Sequence, residues 1–368
     1  VKIEKLPGGD DVRGYREPRV NGVSAPFMML NRNKRGLAVD LKRAEGREVL
    51  LRMVRRADVV TENFRLGTLE RLGLGYDVLS AANPALIYCA ISGYGRTGPD
   101  AARGGFDLIA QGFAGLMSIT GVAGGPPVKC GSPVADINAG ILAALGIVAA
   151  WAHRQRTGQG QLVDTSLAEA ALQQTYWQAA IHFATGASPG PTGSAHVLTA
   201  PYQAFAAADG WLNVGGANQA NWERIAAVLG HPEWCVDPRF ATNSARMANL
   251  AALSDAMSTV IATRPRAEWM VAFDAAGVPA GPVHTIGEAL AHPQTIARGM
   301  VVELTHSQAG ATRALGCPIH FSATPTAIAR AAPVLGEHTR ALLHEHGYDD
   351  LAIDALVADG VVACGERG

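Results

Sequence analysis

The 368-residue chain has little of several things. Only 6% of its residues are aromatic, only 17% are charged, and the formal net charge is −1. With so little charge and no excess of one sign, there is no basic face for a nucleic acid and no polybasic stretch for an anionic membrane surface. A small-molecule substrate is therefore the expectation. The five cysteines, Cys89, Cys130, Cys235, Cys317 and Cys364, are odd in number and scattered. That pattern predicts neither a disulfide framework nor a CxxC metal or redox motif, and fits a reducing, cytoplasmic setting. Apolar runs are short: the longest, residues 137–151, is broken by Asn138 and falls below the roughly 20 residues of a membrane span. It is expected to be a buried helix. No metal site is expected, because "HEH" at 344–346 lacks the i, i+4 histidine pair.

What is present is an alternation of strand and helix over residues 35–92. "RGLAVDL" predicts a strand, and "KRAEGREVLLRMVRRA" predicts a helix with Val49, Leu50, Met53 and Val54 on one face. "DVVTENF" predicts a strand, "GTLERLGLGYDVLSAAN" a helix and "ALIYCAISGYG" a strand ending in glycines. Alternation of this kind predicts an α/β domain with a parallel sheet whose ligands bind beyond the strand carboxyl ends, where Asn63, Phe64 and "SGYG" stand. Further strand and helix are read at "LVDTS" and over 167–184. The Gly/Pro/Ser-rich "TGASPGPTGSAH" reads as a linker. From Pro201 the texture changes to a smaller α+β unit. It opens with a hairpin at Asp209-Gly210 and continues in helices near 220–230, 247–262 and 266–276. "HFSATP" reads as strand-like, and a closing helix follows it.

One residue stands apart. Asp136 lies where the Gly/Pro-rich "GVAGGPPVKCGSPVAD" passes into the apolar "INAGILAALGIVAAWAHRQR". A carboxylate there reads first as a helix cap, whose charged form the unpaired N–H groups favour. Motifs point to neither serine-hydrolase nor nicotinamide or ATP chemistry, and Cys130 reads as a plain thiol without a partner to lower its pKa. A carboxylate amid glycines, with no basic partner, suits covalent attack on an activated carbonyl such as a thioester, with backbone N–H groups to hold the oxyanion.

Ten segments in order resemble the class III CoA-transferase (CaiB/BaiF) family, which includes the formyl-CoA and carnitine CoA-transferases and the α-methylacyl-CoA racemases. Among them are "VKIEKLPGGD" at 1–10, "DVVTENFRLGTLERLGLGY" at 58–76 and "GYGRTGPDAARGGFDLIAQGFAGLMSITG" at 93–121. Others are "SPVADINAGILAALGIVAAW" at 132–151, "DPRFATNSAR" at 237–246 and "LGEHT" at 335–339. The resemblance implies a Rossmann-like large domain with a parallel sheet, a smaller α+β domain and an interlocked homodimer. The implied layout is residues 1–185 as the CoA-binding domain, 186–199 as linker, 200–302 as the small domain and 303–368 as a return to the large one. It implies CoA and acyl-CoA as substrates rather than a permanently bound cofactor, and a carboxylic acid as the other substrate.

By the same resemblance Asp136 is the catalytic aspartate, which forms an acyl anhydride and then an aspartyl-CoA thioester. Asn63, Phe64, Thr68 and Arg71 would hold the CoA moiety, Lys5 its adenosine phosphates, and Arg103, Gly104 and Phe106 the pantetheine side. Racemases of the family carry histidine at position 106, ahead of an aspartate. Phe106 cannot relay a proton, which favours the transferase over the racemase. Family members carry a further strand and helix ahead of "VKIE". A chain without them would be an inactive homologue, the third alternative. The long Gly-rich insertion of formyl-CoA transferases has no counterpart between Gly210 and Asn221.

Overall fold

The computed structural model describes residues 1–365. It is mixed α/β and divides into two compact units. One comprises Val1–Ser92, Ala143–Asp164 and the chain from Ile286 onward; the other comprises Gly93–Leu142 and Thr165–Thr285.

In the first unit, strand Lys2–Glu4 runs parallel to Gly36–Val39, with Ile3 opposite Leu37, and Val362–Ala363 adds an antiparallel edge. Gly36–Val39 is buried along its whole length, as a short apolar strand covered on both faces must be. Helix Ala44–Val54 covers it with Val49 and Met53, at the spacing of one helical face, while Val54 enters the core with Leu69, Leu79 and Tyr88. Leu342, Leu343 and Ile353 from the last helices close the core of Val49 and Met53. A second sheet pairs Val59–Glu62 in parallel with Ile87–Ser92, in the order Val59–Glu62, Ile87–Ser92, Leu162–Ser166. The segment read as one helix at 67–83 is two, Thr68–Arg71 and Tyr76–Ala82. Gly73, at φ +71°, breaks it.

In the second unit, Tyr202–Ala207, Gly210–Gly215 and Ala280–Pro282 form an antiparallel sheet, and Ala207 pairs with Gly210 across the hairpin. Helices Gln219–Val228, Leu250–Ile261 and Arg266–Ala275 bury Trp222, Ile225, Met257, Ile261, Trp269 and Phe273 against it. Trp269 donates its indole N–H to the Ile261 carbonyl at 2.8 Å, whereas the indole N–H of Trp222, buried in the same core, has no partner among the described residues. A smaller alanine-rich core joins Ala110, Ala114, Leu116, Ala135 and Ala171.

Three expectations change. The helix expected over 167–184 is Leu167–Gln173 followed by Tyr176–Thr185. "HFSATP" is irregular, since its serine, threonine and proline offer no alternating apolar face. The apolar helix starting near Asp136 runs over Val134–Thr157, 24 residues, and by length and composition it could cross a membrane. Nor is it a buried helix: Ala135, Ala139, Ala143 and Ala150 are buried, while Ile137, Ile141, Leu145 and Val148 are between 49% and 64% exposed. Alanines at i, i+4 and i+8 let the backbone approach its neighbours closely, which leaves the bulky residues on the opposite face.

Candidate active site

Asp136 is the third residue of helix Val134–Thr157, within its first turn. The cap comes instead from Asp107, the first residue of helix Asp107–Phe113, whose Oδ1 accepts the Ala135 N–H at 2.9 Å. Its Oδ2 accepts from Gln111 Nε2 at 2.7 Å, and Gln111 Oε1 accepts the Cys130 N–H at 2.9 Å. Gln111 is fully buried, so this amide ties the 121–131 loop to the Asp107 carboxylate and holds both against the start of the long helix. Asp107 and Gln111 stand at i, i+4 in "GGFDLIAQ". That spacing was a usable signal, but nothing in it names the helix start as their target.

These surroundings reverse one expectation. The Asp136 carboxyl titrates above the ordinary carboxylate range, first because neighbouring atoms desolvate it and second because the Asp107 charge lies nearby. Solvent still reaches the side chain, so the carboxyl is crowded without being enclosed.

The loop before Asp107 is built on contact between two glycine backbones. A Cβ on Gly105 would lie 2.7 Å from Gly93 Cα, and one on Gly93 would lie 2.7 Å from Gly105 N. Only glycine fits either position, so the Gly93 and Gly105 backbones lie against each other just ahead of Phe106 and Asp107. Phe106 is 79% exposed in front of this helix, and Gly104 is exposed beside it. Arg103 pairs with Asp100 at 3.1 Å and lies 5.1 Å from the Tyr94 ring centroid, and Tyr94 meets Phe113 edge to face. Tyr94, Thr97, Asp100, Phe113, Ala168 and Glu169 line a cavity of about 200 Å³. Thus Arg103, Gly104 and Phe106 share one loop, and the helix after that loop caps the one carrying Asp136.

The other expected ligands belong to the first unit. Asn63 and Phe64 follow strand Val59–Glu62, and the Phe64 N–H donates to Glu62 Oε2 at 2.8 Å. Phe64 is 51% exposed, so it is not a core residue. Thr68 opens helix Thr68–Arg71, and Arg71 folds back to donate to its hydroxyl at 3.1 Å. Lys5 is set apart from this group, in an exposed ion pair with Asp11 at 2.5 Å.

Two short matches escape a motif reading. "GASPG" at 186–190 fits GxSxG, and the Ser188 hydroxyl is 3.2 Å from His182 Nδ1. Ser188 follows a helix in irregular chain rather than capping a strand, so it lacks the strained strand-to-helix turn of a nucleophile elbow. "GYGRTG" at 93–98 fits GxGxxG directly after a strand, yet no helix opens until Asp107, so no helix N-terminus faces a pyrophosphate there. Among the described residues no group of three or more His, Cys, Asp or Glu side chains is placed to hold a metal ion.

The site thus gathers a carboxyl on a helix start and a glycine-built loop ahead of the helix that caps it. Comparison with known proteins names the family of the chain. The model of the CoA-transferase family III matches residues 1–339. The succinate–glutarate CoA-transferase of Agrobacterium fabrum is 38% identical over 94% of this chain and 88% of its own length. The succinyl-CoA:glutarate CoA-transferase of Mus musculus is 34% identical over 98% of this chain and 83% of its own. The crystal structure of a CaiB/BaiF family protein from Brucella suis superposes with a TM-score of 0.82 at 38% identity, over 94% of this chain and 90% of that one. The chain belongs to CoA-transferase family III and is an enzyme of that family.

Proposed function

We propose that the protein moves coenzyme A from an acyl-CoA donor to a carboxylic acid, with Asp136 as the covalent carrier. Ionised Asp136 attacks the thioester carbonyl, the C–S bond breaks, and CoA leaves as thiolate while an acyl-aspartyl anhydride forms. The thiolate attacks the aspartyl carbonyl, releasing the donor acid and leaving an aspartyl-CoA thioester. The acceptor carboxylate attacks the aspartyl-CoA carbonyl and expels CoA thiolate, forming an acceptor–aspartyl anhydride. The thiolate then attacks the acceptor's acyl carbon, giving acceptor-CoA and free Asp136. No net proton or electron is needed, which suits a carboxyl to which no histidine is hydrogen-bonded among the described residues.

The observation that carries this reading is Asp136 itself: a solvent-reached carboxyl on a helix start, with a second carboxylate nearby that makes its neutral or acylated state the less crowded one. Relief of charge repulsion on acylation favours the covalent intermediate. Phe106 in the place of histidine favours transfer over racemisation. Arg103, Gly104, Phe106, Asn63, Phe64, Thr68, Arg71 and Lys5 serve CoA in the same proposal. The relatives' printed substrates suggest succinyl-CoA as donor and a dicarboxylate such as glutarate as acceptor. The domain layout of 1–185, 186–199, 200–302 and 303–368 belongs to the same proposal.

The exposed Ile137, Ile141, Leu145 and Val148 stripe supports a homodimer, since an apolar face of this length needs a cover and a second copy supplies one. In this proposal the stripe is buried between copies rather than in lipid. We place the enzyme in the cytoplasm on its five unpaired cysteines.

The experiment is Asp136→Ala assayed with succinyl-CoA and glutarate, and hydroxylamine trapping in the wild type. Turnover is expected to fall at least about 10⁴-fold, the scale of deleting a covalent nucleophile. Hydroxylamine should convert Asp136 to a hydroxamate only when acyl-CoA is present. Undiminished turnover, or no hydroxamate at position 136, would overturn the assignment.

A further inference from the structure

Arg246 is the one charged side chain among the largest fully buried residues, at 1% exposure. It comes from helix Asn243–Ala248 and lies 5.1 Å from the Trp222 ring centroid. Its Nε donates to the Ala200 carbonyl at 2.6 Å, and Nη1 donates to the Phe240 carbonyl at 2.9 Å and to Gln219 Oε1 at 3.1 Å. All three acceptors are neutral, and no carboxylate pairs with Arg246 among the described residues. The nearest acid in this network, Glu223, meets Gln219 instead. A buried guanidinium without a counter-charge is costly, and proteins ordinarily supply one.

The remaining end of the group points to where the counter-charge would sit. Nη2 makes none of these bonds and is not among the buried side-chain atoms left without a partner, so solvent reaches it. Arg246 lines a cavity of about 730 Å³ with Thr199, Asn218, Gln219, Thr242 and Asn243. Asn218 and Thr242 use their side-chain oxygens to cap helices, accepting from the Asn221 and Ala245 N–H groups. This leaves the Asn218 amide N–H₂ and the Thr242 hydroxyl hydrogen as donors. The cavity is thus rimmed by neutral donors over one buried cation and has no acid on its lining.

We propose that this cavity binds an oxyanion, a carboxylate or a phosphate group, with Arg246 Nη2 as its charged contact and Asn218 and Thr242 as its neutral ones. None of these residues belongs to the Asp136 cluster, so the proposal stands or falls separately from the transfer reaction. One Nη2 edge makes a single-ended contact rather than a fork, which suits one oxygen of the anion, with the neutral donors taking the others.

Removing Arg246 would unseat Trp222 and the Ala200 turn, so the decisive variant is Asn218→Asp. Aspartate is as good a helix cap as asparagine and places a carboxylate where the anion would lie. Thermal midpoints of the CoA-free protein would be followed against glutarate, inorganic phosphate and chloride at constant ionic strength. Wild type is expected to show a saturable rise with glutarate or phosphate but not with chloride, and the stronger of the two names the source. Asn218→Asp should melt no lower than wild type at pH 7 and should weaken that response at least about tenfold through like-charge exclusion. An unsaturable response matched by chloride would mean an adventitious ion only. Either that result, an Asn218→Asp variant that responds as wild type does, or one that melts well below it would overturn the proposal.

Discussion

The core of the antiparallel unit and the long helix Val134–Thr157 use apolar residues in opposite ways. In the first, five large rings fill the inside: Trp222, Trp269, Phe205, Phe240 and Phe273 are at most 1% exposed. In the second, alanines go in and Ile141, Leu145 and Val148 stay out. Local pattern explains the first case, since strands and helices there carry one apolar face each, and that face is buried. The second helix is apolar nearly all round. Its burial then depends on which residues are small enough for close approach, and the bulky ones are left for a partner.

The contrast can be tested on both sides. Asp136→Ala, at the start of the long helix, should have the largest effect of all on turnover while leaving both cores intact. Next comes Trp269→Ala. It removes a buried ring and an indole hydrogen bond and should cost about 3–5 kcal/mol of unfolding free energy in urea titrations. A loss below about 1 kcal/mol would show that this core is far looser than its burial indicates.

Leu145→Arg probes the other side. In the isolated chain this exposed position should change stability by no more than about 0.5 kcal/mol. If a second copy covers the stripe, light scattering should show dimer giving way to monomer. A variant that remains dimeric would place the interface elsewhere.

The smallest effect expected is a displaced pH profile. Asp136 must be ionised to attack, and its folded-state pKa is raised, so activity should fade on acidification at a higher pH than an ordinary carboxylate would dictate. Asp107→Asn removes the second cause of that shift but keeps an oxygen for the Ala135 N–H, so the acid limb should move to lower pH. The same sign governs stability. A carboxyl with a raised folded pKa favours the fold when protonated, and that contribution is lost as pH rises through the folded value. Asp107→Asn sets its amide N–H₂ against the buried Gln111 Nε2, so the variant should melt below wild type at every pH, and by less at neutral pH, where it relieves the repulsion, than in acid. An acid limb that stays in place would show that desolvation alone sets the Asp136 titration.

Part of the candidate site's layout was legible in the residues. Asp136 stood out because a Gly/Pro stretch turns into an apolar helix at that point, and Phe106 because a histidine would have implied another chemistry. Asp107 and Gln111 were visible as an i, i+4 pair, but their task was not, because the Ala135 and Cys130 N–H groups they hold are 28 and 19 residues away along the chain. Arg246 sits in plain view in "DPRFATNSAR" and reads as a surface charge, since nothing local tells a helix which of its cations will be enclosed.

By itself, then, the order of residues determined the alternating strands and helices of 35–92, the hairpin near Asp209 and the glycines at 93 and 105. All of these follow from periodicity and backbone freedom within a few positions. Only the tertiary structure decided that two carboxylates share a helix start, that alanines rather than leucines face inward on that helix, and that a guanidinium is buried without an acid. Those outcomes depend on which distant surfaces meet, and both desolvation and charge are set by everything within several ångströms, whatever its place in the chain.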